Sequence, residues 1–257
     1  MPYAKGILYG PQGEEFSSYA LNTLNRSRWP WGTQLVMQDG RKFRFGLAGA
    51  SNLVAGDLQQ AAANTANHVL QTPSAAGVAG DRSLAVTMGA TAVTINEYQD
   101  GFCTINLGTG FGYTLPVDAH AAVASAGVFT IPFRAGYTLQ AAVPATANSV
   151  SAIHNPYWKT IAAPTTLTQV PVGVAPRAIT ASHAGWLQTF GPATVTTQGT
   201  VVIGNIVVPS GTTAGSVSPM ALTEGTPNTG AGQIPVGRVM LVATTTNKSV
   251  IYLTIDA

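Results

Sequence analysis

The stretch Gly185–Ser210, GWLQTFGPATVTTQGTVVIGNIVVPS, contains no ionisable side chain. It reads as an aromatic strand start, a Gly-Pro break, a Thr/Val run, a Gln198-Gly199 turn and a second Val/Ile run. Val195 and Thr197 alternate with Thr194 and Thr196, the two-residue period of a half-buried strand. After the turn, Val201 and Ile203 fall on one face and Val202 and Gly204 on the other, so the stretch predicts a hairpin. Such a hairpin offers no acid or base, but it can build a sheet and present a surface to a partner. The expected class is all-β: antiparallel β-barrel or sandwich modules with an extended N-terminal arm.

At 257 residues the chain is long enough for one large all-β domain or two smaller ones. Only 9% of its residues are charged, against about 25% in an ordinary soluble domain. A compact monomer of this mass exposes roughly 10,600 Å², so 12 basic and 10 acidic residues give one charge per roughly 480 Å². Two features can keep such a chain in solution, a polar but uncharged surface or cover in an assembly, and both are expected. The net charge of +2 is too small to point to nucleic acid, and the basic residues form no long run. Lys5, Arg26, Arg28, Arg41, Lys42 and Arg44 do gather in residues 1–45, facing Glu14, Glu15 and Asp39. A solvated arm is preferred there over a contact with a negatively charged partner. The single Cys103 excludes an intrachain disulfide and, sharing a face with Ile105 and Leu107, is expected to fill core. No apolar run of signal-peptide length opens the chain, and none reaches the roughly 18 residues of a membrane span. A cytosolic protein, or one released by lysis, is expected.

Residues 1–30 read as an extended arm, broken by Pro2, Gly6, Gly10, Pro11, Gly13 and Pro30. Yet the arm and its junction carry Tyr3, Ile7, Tyr9, Phe16, Tyr19, Trp29 and Trp31, and disordered tails are poor in aromatics. These residues, with Arg26 and Arg28, are the candidate partner-binding set. Docking on another subunit is preferred over packing on the chain's own body. Residues 31–140 form a β-rich module. Leu35 and Met37 alternate before Asp39-Gly40, and Phe43 and Phe45 after it, which predicts a hairpin. In 50–80, Asp57 could cap a short helix of two or three turns, with an extended run as the alternative. SLAVTM and TAVTIN alternate as strands, Asp100-Gly101 predicts a second hairpin turn into FCTINL, and Gly108–Gly112 a sharp bend. Residues 141–182 form a proline-punctuated connection, and 183–257 a C-terminal barrel or sandwich module. That module closes with strands Val236–Ala243 and Ser249–Ile255.

No constellation for catalysis stands out. His68, His120, His154 and His183 are far apart in sequence, without a second ligand at three- or four-residue spacing. No serine sits in a Gly-x-Ser-x-Gly elbow. Glu97 and Asp100 flank a turn and could be brought together, but a turn-capping role for Asp100 is preferred. Tyr157, Trp158 and Trp186 could stack sugars, although a core or subunit-interface place is the more ordinary one. The expectation is no enzyme, no cofactor and no metal.

WGTQLVMQDGRKFRFGLAG, VAGDLQQ, TAVTINEYQDGFCTINLGTGFGYTL, the opening stretch and PVGRVMLVATTTNKSVIYLTI occur in this order over residues 30–257. Together they resemble a set of tailed-bacteriophage virion proteins, the head decoration (cement) proteins encoded beside the major capsid protein. The resemblance rests on Gly/aromatic/Val patterns and carries no functional residue across. It implies a homotrimer on the capsid surface that bridges major capsid protein subunits, assembled in the host cytoplasm, with no nucleic acid or membrane partner. The alternative from another class is a glycan- or receptor-binding fibre or adhesin domain of a virion.

Overall fold

The expected break at Gly191-Pro192 is a kink inside one long strand. The computed structural model describes residues 7–21, 28–146, 148–220, 234–243 and 248–256. It is all-β: among the described residues the only helical segments are two 3₁₀ turns, Glu14–Phe16 and Ala66–His68. Up to Ala62 run β1 (Leu8–Tyr9), β2 (Ser18–Ala20), β3 (Gln34–Val36), β4 (Lys42–Leu47) and β5 (Leu58–Gln60). Ala63–Asn155 holds β6 (Ser83–Thr87), β7 (Phe102–Leu107), β8 (Thr114–Pro116), β9 (Val128–Pro132) and β10 (Ser149–Ile153). From Pro156 follow β11 (Ile161–Ala162), β12 (Pro171–Val174), β13 (His183–Val195), β14 (Ile206–Pro209), β15 (Val217–Pro219), β16 (Gly237–Leu241) and β17 (Ser249–Thr254).

These form two compact units, the second being Ala63–Asn155 and the first the described residues on either side of it. The division therefore falls after 62 and 155, where the sequence suggested 140 and 182. The reason is pairing. The proline-rich segment supplies β11 and β12, which both pair with β5 and so belong to the first unit's sheet.

That sheet runs β1-β3-β4-β13-β17-β16-β14-β15, with β2, β5, β11 and β12 joined beside this path. The path does not return on itself, and no closed barrel forms among the described residues. All its pairs are antiparallel except β1 with β3. β13 is the hub. Its first half pairs with β4 and β2, its second half with β17, and Gln188 meets β12. Gly191 makes the change of partner possible: it sits at φ 88°, which a side chain would resist. Proline at 192 donates nothing to a ladder. Around the kink, the buried Gln188 side chain donates to the carbonyls of Phe190 and Pro192, at 3.2 and 2.8 Å. Three hydrophobic clusters share this strand, one of them through Leu187 beside Val172 and Ile179. Trp186 packs with Trp31, Phe43 and Phe45, while Ala193 and Val195 pack with Val207, Val239, Ile251 and Leu253.

The predicted hairpin across Gln198-Gly199 is corrected. Val201 turns inward, but Val202 and Ile203 stand out at 52% and 64% exposure. The chain bends again at Gly204, and strand resumes only at β14, which pairs with β15 and β16 and not with β13. The short helix after Asp57 is also corrected. Leu58–Gln60 is extended with all three side chains buried, paired on β11 and β12, and this pairing overrides a modest helix propensity. The hairpin over Asp39-Gly40 forms as expected, with Leu35, Phe43 and Phe45 fully buried. So does the closing pair β16–β17.

In the second unit β10-β7-β8 form one small sheet and β6-β9 another. Their inward faces join Leu84, Val86, Phe129, Ile131 and Val150 in one core, and Cys103 lies within it. Gly108–Gly112 is the expected bend, joining β7 to β8. TAVTIN is not a strand: Val93 makes one bridge to Val123, and the chain from Ile95 to Asp100 turns. The Asp100-Gly101 turn therefore leads into β7 without making a hairpin.

Among the described residues Trp186 is the largest fully buried side chain, and truncating it leaves a cavity in the aromatic cluster with Trp31, Phe43 and Phe45. Trp186→Ala is expected to lower stability by about 3–5 kcal/mol, read by denaturant unfolding. Phe111→Ala, at an exposed position, should change it by less than about 0.5 kcal/mol.

Candidate functional site

The described arm residues, 7–21 and 28–30, lie on the chain's own body. β1 adds in parallel to β3, with Leu8 opposite Leu35 and Tyr9 opposite Val36. β2 adds to β13 at His183–Gly185. Two carboxylates fasten the turn between them. Glu14 Oε1 accepts from the Tyr19 hydroxyl at 2.7 Å and the Trp186 indole N–H at 3.3 Å. Glu15, only 2% exposed, accepts from Arg41 at 3.2 Å and from the Gly13 N–H at 2.8 Å.

The candidate partner-binding residues thus divide. Tyr19, Trp29 and Trp31 join the aromatic cluster: Trp29 lies 5.1 Å from Phe45 and 5.3 Å from Trp186, and Trp31 stacks on Phe45 at 5.8 Å. Arg28 covers the Trp29 ring at 4.7 Å, a cation–π contact. Ile7, Tyr9 and Phe16 remain exposed at 53%, 80% and 44%. Tyr3 and Arg26 lie outside the described residues. Tyr19, Trp29 and Trp31 therefore pack on the chain's own body and not on another subunit's. Burying an indole or phenol ring in the cluster gains more than leaving it on the surface. Trp158 and Trp186 are buried as well, so neither offers a sugar-stacking platform.

A second constellation escaped the sequence. Three of the four histidines converge on Tyr98 in the Ala63–Asn155 unit. The His68 Nδ1 lies 2.5 Å from the Tyr98 hydroxyl, His120 Nε2 accepts from the Tyr98 backbone N–H at 3.0 Å, and the His154 ring stacks on the phenol at 4.6 Å. Glu97 joins them, accepting from His154 Nε2 at 3.2 Å and from the N–H and hydroxyl of Thr94 at 2.7 and 3.0 Å. The turn-capping role expected of Asp100 therefore falls to Glu97. Asp100 instead pairs with Arg134.

Burial alone would raise the Glu97 pKa, but the bonds from His154 and Thr94 outweigh it and hold the carboxyl at about 2. Burial, and then the charge of Glu97, push the Tyr98 phenol well above its ordinary value. Burial lowers His120 and lifts the Cys103 thiol to about 12, which leaves it an inert core filler. His183 stands apart on β13, its Nδ1 facing the Ala181 carbonyl. Among the described residues no group of three or more His, Cys, Asp or Glu side chains is placed to hold a metal ion. The one sequence signal for this cluster was Asn96-Glu97-Tyr98-Gln99-Asp100, a polar run without period in an apolar, strand-rich neighbourhood.

No protein-family model, curated protein or solved structure matches the chain.

The Glu14–Glu15 fastening carries a consequence for the arm. A Glu14→Gln/Glu15→Gln double variant should release residues 7–21 from β13 and raise their rate of limited proteolysis about tenfold or more. Proteolytic mapping by mass spectrometry would read it, and an unchanged rate would remove these carboxylates as the fastening.

Proposed function

We propose that this is a virion structural protein of the head-decoration class, a homotrimer on the outer face of a tailed-phage capsid that bridges major capsid protein subunits. It performs no catalysis in this reading. The observation that carries it is the edge strand β1. It ends the path of the first unit's sheet and presents Ile7 and Tyr9 to solvent, on a chain with 9% charged residues. An edge of unpaired N–H and C=O groups invites a further strand, and exposed apolar side chains beside it would be covered in the same contact. Phe16 is a further exposed apolar side chain of the arm. The resemblance of the ordered Gly/aromatic/Val motifs to those of cement proteins favours the capsid as partner. Repetition over a lattice would make many modest contacts strong.

Adding purified protein to undecorated heads should give saturable binding, with hundreds of copies per particle relative to the major capsid protein. A handful of copies at a tail tip, or strong specific hits on a glycan array, would move the protein to the adhesin class. An Ile7→Ser/Tyr9→Ser/Phe16→Ser variant should bind heads at least about tenfold more weakly with its melting temperature little changed, because none of the three side chains is buried.

A further inference from the structure

Tyr98 is held through both of its polar hydrogens. Its backbone N–H donates to His120 Nε2 at 3.0 Å, and its hydroxyl meets His68 Nδ1 at 2.5 Å. The opposite nitrogens fix the tautomers. His120 Nδ1 faces the Ala121 carbonyl at 2.8 Å, and His68 Nε2 faces the Thr91 carbonyl at 2.9 Å. A carbonyl only accepts, so each of these nitrogens carries the ring's hydrogen and the other nitrogen is left with a lone pair. Both lone pairs are directed at Tyr98. The Tyr98 backbone N–H can only donate, so a proton on His120 Nε2 would occupy the site that holds it, and protonation and this hydrogen bond exclude each other.

We propose that the contact between His120 and Tyr98 is an acid-operated latch: protonation of His120 Nε2 removes the acceptor of the Tyr98 backbone N–H and opens the turn Ile95–Asp100, while the sheet around β13 stays closed.

The groups facing the latch support this direction. On the turn itself, Asn96 Oδ1 accepts from the His120 N–H at 2.9 Å, Glu97 is bound to His154 and Thr94, and Asp100 is paired with Arg134. From outside the turn, Thr91 and Ala121 contribute the two carbonyls, and Phe129 lies against the His120 ring at 4.7 Å. Glu97 Oε1 lies 3.9 Å from His68 Nδ1. His120 is the controlling member, because burial lowers it despite the attraction of Glu97. A base whose folded pKa lies below its unfolded one contributes stability that is complete above about 6.5 and fades as the pH falls below that. Glu97 acts in the same direction further down: its contribution is complete above the ordinary 4.5 and is lost towards about 2. The histidine stage is therefore reached first.

Amide exchange on the full chain, corrected for intrinsic rates, tests the latch. Between about pH 7.5 and about pH 5, protection of the turn and of Tyr98 should fall about tenfold or more while β13 keeps its own. In His120→Gln the Oε1 can accept the Tyr98 N–H but takes no second proton, and protection should change by less than about threefold. No loss in the natural protein, an equal loss in the variant, or a loss shared by β13 would overturn the proposal. Should the variant not fold, imidazole ¹⁵N shifts of the natural protein decide. A bare His120 Nε2 at neutral pH that gains its proton as protection falls supports the latch. A hydrogen already on Nε2, or a ring that stays neutral throughout, refutes it.

Discussion

The first unit depends on one constraint: every backbone N–H and C=O of β13 has to be met while the strand changes neighbours along its length. A buried peptide group without a partner costs about 1–3 kcal/mol, so a strand of this length between several sheets is stable only if the hand-over is complete. It is completed at the kink. Gly191 takes the positive φ, Pro192 has no N–H to satisfy, and Gln188 covers the carbonyls that the distorted ladder leaves. Just before the kink, the Thr189 carbonyl accepts from Ile255 and Asp256, which fixes the end of β17. Arg44 of β4 then grips the Asp256 carboxylate with two bonds, at 2.7 and 3.0 Å. Strands on both flanks of β13 are thereby tied by a bidentate ion pair whose geometry favours it over a simple surface contact. Arg44 itself lowers the Asp256 pKa, ahead of the opposing effect of burial.

Alternation made the class legible, and it located the strands wherever one face is buried. Leu35/Met37 against Phe43/Phe45, and Ile251/Leu253 against Val250/Tyr252, could be read directly because period two is what a half-covered strand imposes. The readings failed where tertiary pairing outvotes local pattern. Leu58–Gln60 sits between β11 and β12, so burial on both faces erases the alternation and the Ala/Gln composition suggests a helix instead. Residues 201–203 have no partner strand, so they stay out of the sheet and Val202 and Ile203 are both exposed. The gap at Gly191-Pro192 looked like a boundary because a glycine and a proline usually end strands. Here they allow one strand to serve two sets of partners.

The sites were less legible than the fold. Aromatic residues in a proline- and glycine-broken arm signal that it docks, but sequence cannot tell docking on the same chain from docking on another. The Tyr19–Trp29–Trp186 contacts supply that distinction for the residues they involve. The histidine cluster was invisible for a different reason. His68, Tyr98, His120 and His154 are each separated by more than twenty residues, and only the fold of Ala63–Asn155 brings them together. Their spacing excluded a local metal motif and carried no hint of a mutual hydrogen-bond network.

The location of the charges ties these observations to the proposed role. Glu14 and Glu15 fasten the arm, Asp57 binds Thr196 beside Lys248, Glu97 caps the buried turn, Asp100 pairs with Arg134, and Asp256 pairs with Arg44. Six of the chain's 10 acidic residues are thus committed to internal fastening, not to hydrating a surface. Buried or half-buried pairs of this kind fix one arrangement of the backbone more than they add stability. The exterior is accordingly poorer in free charge than composition alone suggests. Exposed Tyr9, Ile203 and Leu241 sit on that exterior, where charge is too thin to oppose association. In the proposed role such a surface would be covered by protein, a reason for the proposal that does not depend on any motif.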